Sequence, residues 1–471
     1  MIKNYISIVF FSILFAISLM TGDVNTAFWV VFMMWGYNII YALNKPYERS
    51  IFLAFNFTFF IFLIGNIFVS KVTSIPAFKS SVLGLFSVEI QEHMLVALFL
   101  SLSGLLVGFS YFETKYKDIK IKRSIDLNNR YMSNLRKYSK RIIYLTFWAS
   151  LILQIERAMY VQTVSYVDSY VDFQSHMPSI VRRIATIYDY SFLLFLATIP
   201  KYKDAKLPII IYLILGSISL GYGQRTGLCI TFAFLFIYFA IRQKYKFYGN
   251  SDIWITKKLL ISVFVSLPFF IVFLYTFAQT RLGYDANDFG GILGNLEAFL
   301  YQQGRTVQLI GYEQTFQDKF PQSWYSFSFL FEFFQHNYIS ESLNLFKSYQ
   351  PQTIEYALNG YNFGSAITYL VEPEQYVLGY GLGSCYIAEA YHDFGFVGLF
   401  LLNAFYGFIF SYSKQSLYKG VWATFAYLMI LEELLMAPRG SDTYFIKVFI
   451  SVFLFAYFIL MRYFAKKNSI K

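Results

Sequence analysis

Cysteine and charge are scarce in this 471-residue chain. Its two cysteines, Cys229 and Cys385, are too few for a disulfide framework or a cysteine-rich metal cluster. Charged residues make up 14%, against about a quarter in ordinary soluble domains, which excludes a soluble enzyme. There is no low-complexity run and no internal repeat of the kind that marks two-halved transporters. Nucleotide-sugar signatures are missing, and residues 279–382 contain no Asp-x-Asp pair. Glu372-Pro373-Glu374 has the spacing for a divalent ion, but one such pair does not make a metal site, and no metal or cofactor is expected. Gly379-Tyr380-Gly381-Leu382-Gly383 lacks the βαβ context of a phosphate loop and reads as a turn.

What the chain has in excess is apolar surface: 57% hydrophobic residues, including 55 Phe and 41 Tyr. A helix crosses the hydrocarbon core with about 20 mostly apolar residues, and about twelve such stretches are present. They run roughly 4–21, 27–43, 51–70, 94–112, 142–161, 184–200, 207–222, 226–241, 259–278, 384–411, 421–437 and 443–461. The expected fold is therefore an all-α polytopic membrane protein. Its parts are an N-terminal bundle (1–278), one large outer loop (279–382) and C-terminal membrane helices (383–471).

Orientation follows from the basic residues. Of the 39 Lys and Arg, 27 fall on one set of alternate segments and ten on the other, which predicts cytoplasmic N- and C-termini. Lys3 followed by an apolar run looks like a signal peptide. It lacks a small-x-small cleavage site, so it reads as a retained first helix. The net charge of +11 lies mostly in the inner loop 113–141. That loop suits anionic lipid and is no nucleic-acid signal. The segment 279–382 has the opposite balance, with four basic and ten acidic residues. Its run Trp324-Tyr325-Ser326-Phe327-Ser328-Phe329-Leu330-Phe331-Glu332-Phe333-Phe334 suits either stacking on sugar rings or an amphipathic helix at the headgroups.

Four of the arginines on the outer set stand out: Arg225, Arg281, Arg305 and Arg439. A guanidinium forks onto phosphate oxygens, so several at one depth suit a diphosphate. The competing reading is headgroup snorkelling or pairing with loop carboxylates. Beyond the glycine run come Glu389 and His392, three apart and so on one helix face, with Tyr391 and Asp393 beside them. Ionisable groups at the rim of a span mark a functional site by default. A carboxylate or imidazole there suits deprotonation of a sugar hydroxyl, and pairing of Glu389 with an outer arginine is the competing structural role. His336, in Gln335-His336-Asn337, is a further base candidate.

The run from Gly379 to Gly398, GYGLGSCYIAEAYHDFGFVG, resembles the C-terminal region of bacterial O-antigen polymerases of the Wzy type, and Gly223-Gln224-Arg225 is similar to that family's arginine turn. The resemblance implies a GT-C-like helical fold and a glycosyltransferase that uses neither metal nor nucleotide. It implies transfer of a growing glycan from undecaprenyl diphosphate to a new lipid-linked repeat unit outside the inner membrane. The product would be O-antigen, capsule or exopolysaccharide, and the partners membrane lipid and the pathway's flippase and chain-length regulator. Arg225 and Glu389 carry over best, and Arg281 and Arg305 less directly. Two other classes fit the composition: a flippase for lipid-linked oligosaccharides and an O-antigen ligase. His336-Asn337 lies before the glycine run rather than after it, which departs from the ligase pattern.

Overall fold

The computed structural model describes residues 2–116, 129–164, 173–249, 252–281, 291–322, 324–335, 342–343 and 345–470. Among these there is no strand. Twelve long helices form the bundle: α1 (Ile2–Met20), α2 (Val24–Leu43), α3 (Ser50–Val72), α4 (Val88–Lys115), α5 (Arg130–Val161), α6 (Ser179–Ala197), α7 (Tyr202–Ile218), α8 (Arg225–Tyr245), α9 (Lys257–Arg281), α10 (Tyr386–Ser411), α11 (Val421–Met436) and α12 (Val452–Ile470).

Ten of the twelve are long and apolar enough to cross a bilayer. The two that fall short are α6, which carries Arg182, Arg183 and Asp189, and α12, which carries Arg462, Lys466 and Lys467. The last helix also starts at Val452 rather than near 443. The preceding segment is not a continuous helix. It holds a 3-10 turn, Ala437–Arg439, and a single helical turn, Tyr444–Lys447, with an irregular crossing between them. That crossing contributes to the candidate site.

The most extensive helix contact is between α4 and α10, and the glycines explain it. A Cβ on Gly108 would lie 1.9 Å from the Ala404 carbonyl oxygen, and one on Gly407 would lie 2.3 Å from the Leu105 oxygen. Gly104 meets the Phe400 oxygen at 2.6 Å in the same way. Gly104 and Gly108 form a G-x-x-x-G stripe, which lets two membrane helices approach backbone to backbone. Polar side chains lock the neighbours on. Asn38 of α2 donates to Leu102 O of α4 (3.2 Å), and Tyr386 OH donates to Asn403 Oδ1 within α10 (2.8 Å). At the far end of the bundle Arg49 grips Glu113 bidentately, both bonds 2.8 Å. This geometry gains both energy and orientation.

Part of segment 279–382 folds onto the bundle. Asn66 of α3, fully buried, donates to Tyr301 O (2.9 Å) and accepts from Val82 N (3.0 Å), which ties the helix Gly291–Gln303 to α3. The next helix, Gln308–Phe316, buries Leu309, Ile310 and Glu313 and packs on α4. Thus the base of this segment is part of the core.

Even one methyl at Gly108 or Gly407 must push backbone apart, and overpacking costs about 1–3 kcal/mol. Gly108→Ala and Gly407→Ala are therefore expected to lower the melting temperature of the purified protein in detergent by several degrees. Gly36→Ala in α2, where an added Cβ meets nothing within 4 Å, is expected to lose nothing. Equal melting of all three would show that the α4–α10 approach does not limit stability.

Candidate active site

The helix α10 is broken at Gly395, whose backbone (φ 62°, ψ −167°) is closed to side-chain-bearing residues. The short piece before the break carries Glu389, His392 and Asp393. Their shared helix face leads to three different partners.

Glu389 is 3% exposed. Ser384 Oγ donates to its Oε1 (2.5 Å), while Ser441 Oγ (2.6 Å) and the Asp442 amide (3.0 Å) donate to Oε2. Two of these donors belong to the irregular crossing after α11, so the break between α11 and α12 exists where Glu389 needs hydrogen bonds. No arginine bonds to Glu389 among the described residues, and the competing role of an Arg–Glu brace is not what the geometry shows. A carboxylate offers about four lone-pair positions. Three are taken by these donors, and the Asp442 carboxyl lies against the same group.

The Glu389 carboxylate faces a cavity of about 140 Å³ lined by Asn362, Ser384, Glu433, Ser441 and Tyr444. Asp442 is fully buried behind it, and burial pushes its carboxyl above the usual range. Asp442 Oδ2 accepts from Ser326 Oγ (2.5 Å), and its carbonyl accepts from Tyr406 OH of α10 (2.5 Å). Asp393 receives the Tyr325 amide (2.9 Å) and the Ser326 amide (2.6 Å). One continuous network therefore runs Glu389–Asp442–Ser326–Asp393 and holds the start of the aromatic run against the helix.

His392 is engaged elsewhere. Its Nδ1 lies 3.1 Å from Glu313 Oε1 and its Nε2 lies 3.2 Å from Gln322 O. A carbonyl only accepts, so Nε2 carries a hydrogen. The Nδ1–Glu313 contact then shares one proton, whichever partner holds it. Burial pushes the Glu313 carboxyl above the usual range. The ring packs on Phe320, centroids 4.6 Å apart. His392 does not line the Glu389 cavity, so its position is that of a brace between α10 and helix Gln308–Phe316. Tyr391 turns to α4, its ring 4.4 Å from that of His93.

The arginines divide. Arg439, exposed, donates to Gln303 Oε1 (2.6 Å) and lies 5.7 Å from the Phe62 ring. That contact is the junction between the turn after α11 and the helix Gly291–Gln303, and Arg305 is exposed two residues further along the chain. Arg225 follows the turn at Gly223 (φ +80°), opens α8 and donates to Leu274 O of α9 (3.0 Å). The Arg281 side chain and His336 lie outside the described residues. Sequence reasoning missed Glu313, Asp442, Ser384 and Ser441. The signal within reach was the short polar run Gly440-Ser441-Asp442-Thr443 between apolar stretches.

A polytopic helical bundle enclosing a buried carboxylate at a small polar cavity describes a membrane-embedded protein with an internal polar site. The family model for the O-antigen polysaccharide polymerase Wzy matches residues 3–468, and the chain belongs to that family. It is thus a multi-pass membrane protein of a family of polymerising glycosyltransferases acting on lipid-linked oligosaccharide. No curated protein and no solved structure gives a match.

Asp393→Asn keeps the shape but weakens two charge-assisted bonds, at a cost of about 1–3 kcal/mol. It is expected to lower the melting temperature and to speed proteolytic cleavage within 324–335. An unchanged cleavage rate would mean that Asp393 does not hold this segment.

Proposed function

We propose that this protein polymerises undecaprenyl-diphosphate-linked repeat units into a surface polysaccharide on the outer face of the cytoplasmic membrane, with both termini cytoplasmic. The observation that carries this reading is Glu389: a buried carboxylate at the wall of a polar cavity, held by three donors. In this reading the acceptor sugar's hydroxyl gives its proton to Glu389 as its oxygen attacks the donor's anomeric carbon. The bond from that carbon to the diphosphate breaks, and undecaprenyl diphosphate leaves with the electron pair. Arg305 and Arg439 stabilise the charge on the departing diphosphate. Arg225, on the other side of the arginine division, would meet a second phosphate group. The carboxyl network and the arginines need no metal for this chemistry. Flippase and chain-length regulator of the same pathway would supply substrate and set product length.

The test is purified protein with a defined lipid-linked repeat unit, products sized on a gel. Ladders are expected to form with EDTA present. Glu389→Gln is expected to slow chain growth by at least about 100-fold, the usual scale for losing a general base, at normal protein levels. Arg305→Ala and Arg439→Ala are expected to slow it as well, most strongly in combination. Full ladders from Glu389→Gln would sink the assignment of the base. Ladders lost with EDTA and restored by a divalent ion would sink metal independence.

A further inference from the structure

The Glu389 cavity has a larger and more open neighbour of about 460 Å³ between α5, α6, α7, α8 and α11, within the range of small-ligand sites. Its chemistry is unusual for the middle of a helical bundle. Asp189 of α6 lies at its open side, exposed, with no hydrogen bond or ion pair to its carboxylate among the described residues. Glu432 of α11 faces it and accepts a hydrogen bond from Tyr212 OH. Tyr188 is 1% exposed and lines the cavity, yet its hydroxyl has no hydrogen-bond partner among the described residues. The Gln154 Oε1 is in the same state. A buried hydroxyl left unmet costs about 1–3 kcal/mol, so these groups are arranged for something that enters.

The mixture identifies the visitor. Two carboxylates and an amide oxygen want donors, while the Tyr188 hydroxyl wants an acceptor. Arg182 also lines the wall, and its fixed positive charge disfavours a cation. A molecule with several hydroxyls, each both donor and acceptor, satisfies the set. Consecutive residues on a helix point about 100° apart. Glu432 lines this cavity and Glu433 lines the Glu389 cavity, so α11 is the wall between the two.

We infer that the cavity bounded by Tyr188, Asp189 and Glu432 is a saccharide site, which holds a sugar of the second lipid-linked glycan while the bond is formed across α11 at Glu389. This rests on the polymerase reading, because joining two glycans requires two places to hold them.

The probe is the repeat-unit oligosaccharide freed from its carrier by mild acid, its binding to the full chain in nanodiscs followed by saturation-transfer NMR. Polymerisation of the lipid-linked form is measured alongside. Tyr188→Phe removes a hydroxyl that has no hydrogen-bond partner among the described residues, so their packing has no bond to lose. Asp189→Asn and Glu432→Gln remove charge at constant shape. Each is expected to weaken binding about tenfold, the scale of one buried hydrogen bond to a polar ligand. Each is also expected to raise the half-saturating concentration of lipid-linked substrate about as much, with kcat within about twofold. Glu389→Gln is expected to bind like the wild type and not turn over. If the three variants bind and saturate like the wild type, or lose kcat alone, the saccharide site is wrong and the polymerase reading stands. If binding falls as expected and the wild type makes no polymer, the polymerase reading is wrong, and the cavity remains a saccharide site without its role as second-glycan holder.

Discussion

The backbone contact between α4 and α10 is the constraint on which the rest depends. At Gly108 and Gly407 the two chains approach so closely that no side chain fits between them. That contact fixes the height and rotation of α10. Once it is fixed, the bend at Gly395 decides where the first nine residues of α10 point. Glu389, His392 and Asp393 then find their partners in three separate segments: the crossing after α11, helix Gln308–Phe316 and the start of the aromatic run. A bundle held mainly by lipid-facing Phe and Leu would leave α10 free to rotate, because side chains of that kind pack equally well against lipid tails.

The reach of the sequence was uneven for physical reasons. Hydropathy is a property of 20-residue windows, so the helices were legible, although two of the twelve expected spans carry too much charge to qualify and the last begins at Val452 rather than near 443. Glu389 was legible because a carboxylate in an apolar window is costly enough to need a reason. Asp442 and Glu313 were not, because each lies in a polar stretch where a carboxylate is ordinary. Only the fold reveals that both are fully buried. The outer arginines illustrate a different limit. Charge asymmetry puts them at one depth but has no information about azimuth around the bundle. In the structure Arg439 bonds to Gln303 while Arg225 bonds to α9. His392 shares a helix face with Glu389 in sequence, yet the kink and the neighbouring helix give it a separate partner.

The acidic segment 279–382 also changes character once folded. As a sequence it is a loop between spans. Asn66, through hydrogen bonds to Tyr301 and Val82, draws its first helix against α3, and Gly304 touches the Asn66 backbone so closely that a Cβ would lie 2.1 Å away. The same close approach brings Gln303 beneath Arg439. A single buried amide side chain therefore links the core of α3 to the arginine junction.

The way Glu389 is held bears on the chemistry it can perform. An arginine partner in bidentate contact would occupy both carboxylate oxygens and favour the ionised form permanently, and such a carboxylate makes a poor proton acceptor. The arrangement at the other end of the bundle, Arg49 on Glu113, is of that kind and suits a brace. Around Glu389 the donors are two serine hydroxyls and one amide, all neutral. Neutral donors orient the carboxylate without cancelling its charge. Two carboxylates are thus held by opposite devices, a charged clamp on half-buried Glu113 where the bundle needs rigidity and a neutral-donor cradle on buried Glu389 at the cavity wall.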